Sequence, residues 1–309
     1  MPEIPEIKAH AERLESLAAG DVLRRIEPLS FTAFKTASPP PSDAVGWSLR
    51  SVTQRAKFLL LRFVPEFAPE LEPTVETTPA SRAGTTGGAA KAGLTFVVHL
   101  MQGGRLRVLA PTAKRPRRPR DGLVRFEFDS GLGLVLTEPG TQKRAGVWVL
   151  PGDLHRSAPL AGLGPEATAL DTSAMSELMA VRSTRLHNFL RDQRVISGLG
   201  RRLANEICHR ARLSPFAPVG RLDAESIAAV VAAIGTVVEE SLAFERGRSE
   251  MSRSAERPSA VHGRTGQPCP VCSKAVRAVT YNSYSVNYCA GCQTDGRVLA
   301  DNTTSKFLR

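Results

Sequence analysis

A proline directly after the initiator methionine, with a glutamate next to it, is a pair with chemical use. Loss of Met1 turns Pro2 into a free secondary amine. An α-amino group titrates about two to three units below a lysine side chain, so near neutral pH much of it is unprotonated and nucleophilic. Such an amine can attack a sugar C1′ and hold it as an iminium, the covalent logic of a Schiff-base lysine. Glu3 offers a carboxyl group able to exchange a proton with the sugar ring oxygen. By itself Met-Pro-Glu is also an ordinary polar chain start, of the kind that commonly frays.

The strongest spacing lies at the other end. Cys269-x-x-Cys272, sixteen residues, then Cys289-x-x-Cys292 sets four thiolates in two turn-forming pairs. One Zn2+ takes four such ligands tetrahedrally, and the fold of a small module like this depends on the metal. A closed four-cysteine site leaves no position for a substrate, so the zinc is structural. The fifth cysteine, Cys208, falls on an apolar helix face and reads as core.

The elements that must hold these ends together follow from composition. At 309 residues the chain has room for two or three domains. A formal charge of +11 favours a polyanionic partner. No run of about 18 apolar residues and no signal peptide are evident, which implies a cytoplasmic protein without a membrane partner. Structural disulfides are rare there, so clustered cysteines point to metal.

A short amphipathic helix is expected over 8–19, then short strands at 58–63, 94–100, 105–109, 124–128 and 132–137, with another ending near Trp148. Lys57 stands at the entry of the first of these, where a lysine is ordinarily a solvated strand end. Many short strands with Gly and Pro punctuation imply a β-sandwich or barrel-like domain over 1–150. Residues 69–93 are rich in Pro, Glu, Thr, Ala and Gly and read as a flexible insertion. Residues 114–120, basic and interleaved with proline, read as a solvated or phosphate-contacting loop.

Helical periodicity follows at 175–190 and 227–242. Between them, Gly198-Leu199-Gly200 opens a helix whose free N–H groups would form an anion site for a DNA phosphate. The polar stretch 246–262 reads as a linker.

Taken together, these pieces resemble the formamidopyrimidine-DNA glycosylase / endonuclease VIII family, in an actinobacterial-looking branch. The resemblance rests on Pro2-Glu3 with Pro5-Glu6, Lys57 in Arg55-Ala56-Lys57-Phe58-Leu59-Leu60, and His99-Leu100 before a glycine turn. It continues through 198–206 and from Gly263-Arg264-Thr265-Gly266 into the cysteines. It implies an α+β multidomain fold: an N-terminal β-sandwich with short helices (1–150), a helix-two-turn-helix domain (151–248), and a linker with a zinc-finger β-hairpin (249–309). It also implies a monomeric DNA glycosylase with abasic-site lyase activity, acting on damaged DNA, double- or single-stranded, in the nucleoid.

By position, Pro2 would be the nucleophile, Glu3 the acid/base, and Glu6 the holder of active-site hydrogen bonds. Lys57 would support β-elimination and contact a phosphate. His99, Arg201 and Arg264 would grip the backbone near the lesion. Four departures stand out. Tyr284 replaces the finger arginine tied to δ-elimination, and Arg201 replaces an asparagine. Gln102 stands where the family wedges a methionine into the vacated stack, and the partner loop 138–146, with Arg144, is longer. The altered wedge, the longer loop and Tyr284 also feed an alternative: a lesion or abasic-site binding protein without turnover. A zinc-ribbon transcription or RNA-binding factor is a third reading, in which Pro2 has no role.

Overall fold

Two apolar patterns of different period organise the chain. The structure, a computed structural model, describes residues 1–65, 93–112, 119–152, 154, 156–253, 256–282 and 284–299. The expected insertion at 69–93 lies outside them except for Gly93, as do positions 114–118 of the basic loop. By their contacts the residues form two units. One holds Ala11–Thr53 and Phe58–Ala161; the other holds Met1–His10, Gln54–Lys57 and Gly162–Arg309.

The first unit is built from strands. β1 (Leu23–Pro28), β5 (Arg105–Leu109), β6 (Gly122–Phe128) and β7 (Gly133–Thr137) form one sheet in the order β1-β6-β7-β5. A second sheet, ordered β2-β3-β4-β8, takes β2 (Ser48–Arg55), β3 (Phe58–Val64), β4 (Leu94–His99) and β8 (Gly146–Pro151). β3 runs antiparallel to β4 from Phe58↔His99 to Phe63↔Leu94, and β4 to β8 from Leu94↔Pro151 to His99↔Gly146. Phenylalanines join the two sheets: Phe96 on β4 meets Phe126 on β6 at 5.8 Å, and Phe63 on β3 meets Phe128 at 6.4 Å. These aromatic contacts make the pair of sheets a sandwich. β1 and β2 carry few large apolar residues, which is why periodicity did not single them out.

The second unit is helical. α1 (Ile4–Ala18), of which residues 4–10 belong to this unit, begins four residues before the expected position. Pro5 is tolerated in the first turn because its missing N–H would have no helical partner there. The helical face expected at 175–190 is broken into α2 (Thr172–Ala180) and α3 (Leu186–Arg191), because Thr184 and Arg185 pair with the segment around Pro218 instead. α4 (Arg201–Arg210) and α5 (Ala224–Arg246) complete the set. α5 is long and apolar enough to cross a membrane by length and composition. Its buried stripe Ile227, Val230, Ile234, Val238 and Leu242 instead joins the core shared with Met175, Phe189, Leu203 and Ile207. Ile4 belongs to that same core, which draws the first residues of the chain onto the helices.

The chain ends in a hairpin, β9 (Val276–Tyr281) with β10 (Tyr284–Cys289), paired from Tyr284↔Tyr281 to Cys289↔Val276. A short helix, α6 (Ala290–Gln293), carries Cys292.

Candidate active site

Two glycines create the seat for the N-terminus. Gly198 has φ +98, and a Cβ there would overlap the Ile4 side chain; one at Gly200 would overlap the Glu3 carboxylate. Into that space Ile4 donates its N–H to the Gly198 carbonyl at 3.2 Å. Glu3 is 3% exposed and accepts from the N–H of Arg202 (3.1 Å) and Leu203 (3.0 Å), the first turn of α4. Helix N-termini attract anions through these unpaired N–H groups. The expected anion site therefore exists, but the protein's own Glu3 fills it, and it is not open to a phosphate.

Glu6 starts α1. Its Oε2 accepts from the Glu3 N–H at 2.8 Å, the return arm of a capping box, while its other oxygen pairs with Arg257. Arg257 lies in the stretch expected to be a linker. That stretch is pinned further: Glu206 on α4 accepts from the N–H groups of Ala260, Val261 and His262 at 2.7–3.1 Å.

Lys57 stands in the turn between β2 and β3, after Ala56 in the left-handed region at φ +53. The turn is held from its own unit. Glu166 accepts from the Ala56 N–H (2.6 Å) and from Gln54 (2.8 Å), and Arg55 donates to Ser197 Oγ and the Gly164 carbonyl. Lys57 is 7% exposed, not a solvated strand end. Burial pushes its amine down to about 8; the Glu3 charge opposes that and the Arg191 charge adds to it. Pro2, Glu3, Glu6 and Lys57 are thus buried in one unit, with Lys57 and Glu3 in electrostatic reach.

The finger residues lie in the same unit. Sγ atoms of Cys269 and Cys292 are 3.8 Å apart and those of Cys272 and Cys289 3.3 Å apart. Four sulfurs about 2.3 Å from a tetrahedral zinc would stand roughly 3.8 Å from one another, so the donor set fits one such ion. His209 Nε2 on α4 comes to 3.3 Å of Cys269 Sγ, and His209, Cys269, Cys289 and Cys292 form a cluster able to hold a metal ion. Neither His209 nor its position carried any motif in the sequence. Cys208 beside it is fully buried core.

Of the expected backbone grips, Arg201 is half-buried at the start of α4. Arg264 is tied into its own loop, donating to Gln267 and to the carbonyls of Ser259 and Pro268. Tyr284 is stacked: its ring lies 4.8 Å from Tyr281 and 6.5 Å from His187, with the Arg191 guanidinium 4.7 Å from its centroid. Arg191 is a residue the sequence reading missed, as are Glu166, Glu206 and Arg257. Their partners stand far away in the chain, so no local pattern marks them.

His99, Gln102 and Arg144 belong to the strand unit. The His99 ring packs 4.6 Å from Phe58, and its Nδ1 accepts from the Met101 N–H at 3.1 Å. Gln102 is exposed in the turn after Met101, whose φ is +51. Arg144 is also exposed, on a loop folded around Glu138, which accepts from the Arg144 and Ala145 N–H groups at 2.6 and 2.7 Å.

The chain is similar to known proteins over most of its length. The family model of the formamidopyrimidine-DNA glycosylase N-terminal domain matches residues 1–145, and that of the formamidopyrimidine-DNA glycosylase H2TH domain matches 162–253. An uncharacterized formamidopyrimidine-DNA glycosylase-like protein of Mycobacterium tuberculosis is 36% identical over 149 residues, covering 48% of this chain and 94% of its own. The formamidopyrimidine-DNA glycosylase of Alkalilimnicola ehrlichii is 28% identical, covering 95% of this chain and 100% of its own. Among solved structures, the MutM (Fpg) protein of Thermus thermophilus superposes with a TM-score of 0.73 at 24% identity, over 94% of this chain and 98% of that one. Lactococcus lactis Fpg in complex with N7-benzyl-Fapy-dG DNA gives a TM-score of 0.76 at 18% identity, over 95% and 100%. At these identities the structures establish a shared fold.

Proposed function

The chain belongs to the formamidopyrimidine-DNA glycosylase family, and on that premise we propose that Pro2, Glu3 and Lys57 carry out its base excision and strand nicking. The protein is a base-excision-repair DNA glycosylase with the abasic-site lyase activity typical of the family. The observation that supports this division of labour is the seating of Glu3 on α4, which buries Pro2 and Glu3 in the unit that also buries Lys57.

Met1 removal comes first, since Pro2 nitrogen is otherwise an amide. The Pro2 amine attacks C1′ of the damaged nucleotide, and the bond from C1′ to the base breaks. Glu3 takes the proton that the Pro2 nitrogen loses and passes it to the ring oxygen as the sugar opens, leaving an iminium between Pro2 and C1′. A proton then leaves C2′, the C3′–O bond breaks, and the 3′ phosphate departs. Lys57, whose amine titrates near 8, is suited to take that proton or to hold the phosphate, according to pH. Water hydrolyses the iminium and frees Pro2. With Tyr284 in the finger, the reaction stops at this single nick.

Extrusion of the damaged base costs least where its pairing is already weak, and phosphate contacts hold register without reading sequence. One structural zinc held by Cys269, Cys272, Cys289 and Cys292 maintains the finger. The protein works as a monomer in the cytoplasm, at the nucleoid.

Borohydride trapping on a labelled abasic-site duplex tests the chemistry, with wild type beside Pro2→Gly and Glu3→Gln. A covalent band that collapses in Pro2→Gly is the expected result. No band from wild-type protein, with Met1 shown absent by mass spectrometry, would replace this reading with that of a lesion-binding protein.

A further inference from the structure

Arg191, at the end of α3, has no role in the scheme above. Its guanidinium lies 4.7 Å from the Tyr284 ring centroid, within electrostatic reach of Lys57. It is half-buried, and among the described residues it has no hydrogen-bond or ion-pair partner for its guanidinium N–H groups. Tyr284 is itself held in a column of near-parallel rings, 15° from Tyr281 and 10° from His187. Burial and the Arg191 charge push the His187 imidazole down to about 3, so the base of that column is neutral.

Two cations beside each other need compensation. The nearby carboxylate is Glu3, and both of its oxygens already accept from the α4 N–H groups. Stacking fixes the plane of a guanidinium while leaving its edge donors free, and that edge matches two oxygens of a phosphate. Arg191 and Lys57 are thus two cationic donors whose charges oppose each other, and the carboxylate near them is already committed.

We propose that Arg191, held flat on Tyr284, forms with Lys57 a phosphate-binding site that grips a phosphodiester of the damaged strand beside the reacting sugar. This rests on the DNA-glycosylase reading above and adds a ligand to the same site. The Tyr284 ring supplies rigidity and Arg191 supplies the charge.

The test is equilibrium binding of the zinc-loaded full-length protein to a duplex bearing a tetrahydrofuran abasic analogue, across a salt series. Wild type is compared with Arg191→Ala and Arg191→Lys, and each is also assayed by borohydride trapping. Loss of one phosphate contact should make the slope of log K against log salt shallower by about 0.9. Arg191→Ala should show that change with an affinity loss of about tenfold. Arg191→Lys should keep the slope. Thermal melts confirm that both variants fold.

An unchanged slope in Arg191→Ala overturns the proposal, as does a slope lost equally in Arg191→Lys. Trapping separates the two readings. A shallower slope in Arg191→Ala with no trapping by wild type sinks the covalent chemistry and leaves the phosphate site standing. Normal trapping with unchanged slopes does the reverse.

Discussion

Burial gives Lys57 a cost at neutral pH that can be measured. An unfolded chain keeps its lysine protonated to about pH 10.5, whereas the folded chain releases that proton near 8. Between these values the unfolded state binds more protons, so stability rises with pH; below about 8 the full cost is present. Replacing Lys57 by Met should therefore raise stability near pH 7, by something on the order of 1–3 kcal/mol, and the gain should shrink towards pH 10. Paired thermal melts check this, and a gain that stays constant with pH would mean that desolvation is not what perturbs the amine. Pro2, Glu3 and the four cysteines suggested their chemistry by residue type and spacing, whereas Lys57 gained its expected role only from the family resemblance. Lys57 as a solvated strand end was the ordinary expectation. Only the turn built on Glu166, Arg55 and Ser197, distant in sequence, explains why it is buried.

Elements obey the same rule, since the glycines before α4 look like simple turn chemistry until their neighbours are known. Gly200 has no positive φ to justify it; what it provides is room for the Glu3 carboxylate. Gly200→Ala should force Glu3 off the N–H groups of Arg202 and Leu203. Borohydride trapping should fall by about tenfold or more, while overpacking costs only about 1–3 kcal/mol of stability. Gly235 on α5 is the control, because a Cβ there meets nothing within 4 Å. Gly235→Ala should stabilise by up to about 1 kcal/mol and leave trapping intact. Equal trapping by Gly200→Ala and wild type would show that Glu3 does not need its seat. Strands were legible at β3 and β4 from their apolar runs and at β5 from the glycine turn before it, with bounds within a residue or so. The start of α1 was not. Pro5 fits a first turn as well as an extended start, and the Arg257 pairing that holds Glu6 in place comes from far along the chain.

At the scale of the molecule, aromatic residues report on different parts of it. All three tyrosines, Tyr281, Tyr284 and Tyr288, sit in the finger hairpin, whereas both tryptophans, Trp47 and Trp148, sit in the strand unit. The hairpin buries little of its own: one of its clusters is Val261, Val276 and two of the cysteine ligands, Cys269 and Cys289. A core that small is expected to need the proposed ion to hold its fold. The strand unit has two sheets and a phenylalanine core, and it contains none of the metal ligands. Stripping the metal with a strong chelator should therefore abolish the tyrosine near-UV dichroism and leave the tryptophan bands nearly unchanged. Restoring Zn2+ should bring the tyrosine signal back at one equivalent. Because Tyr284 also carries the Arg191 guanidinium, DNA affinity and its salt slope should fall with the tyrosine signal and return with it. If the tyrosine bands survive complete removal of the metal, the hairpin is held by Phe216 in the turn after α4 and by the Asn205 hydrogen bond from α4 rather than by the ion.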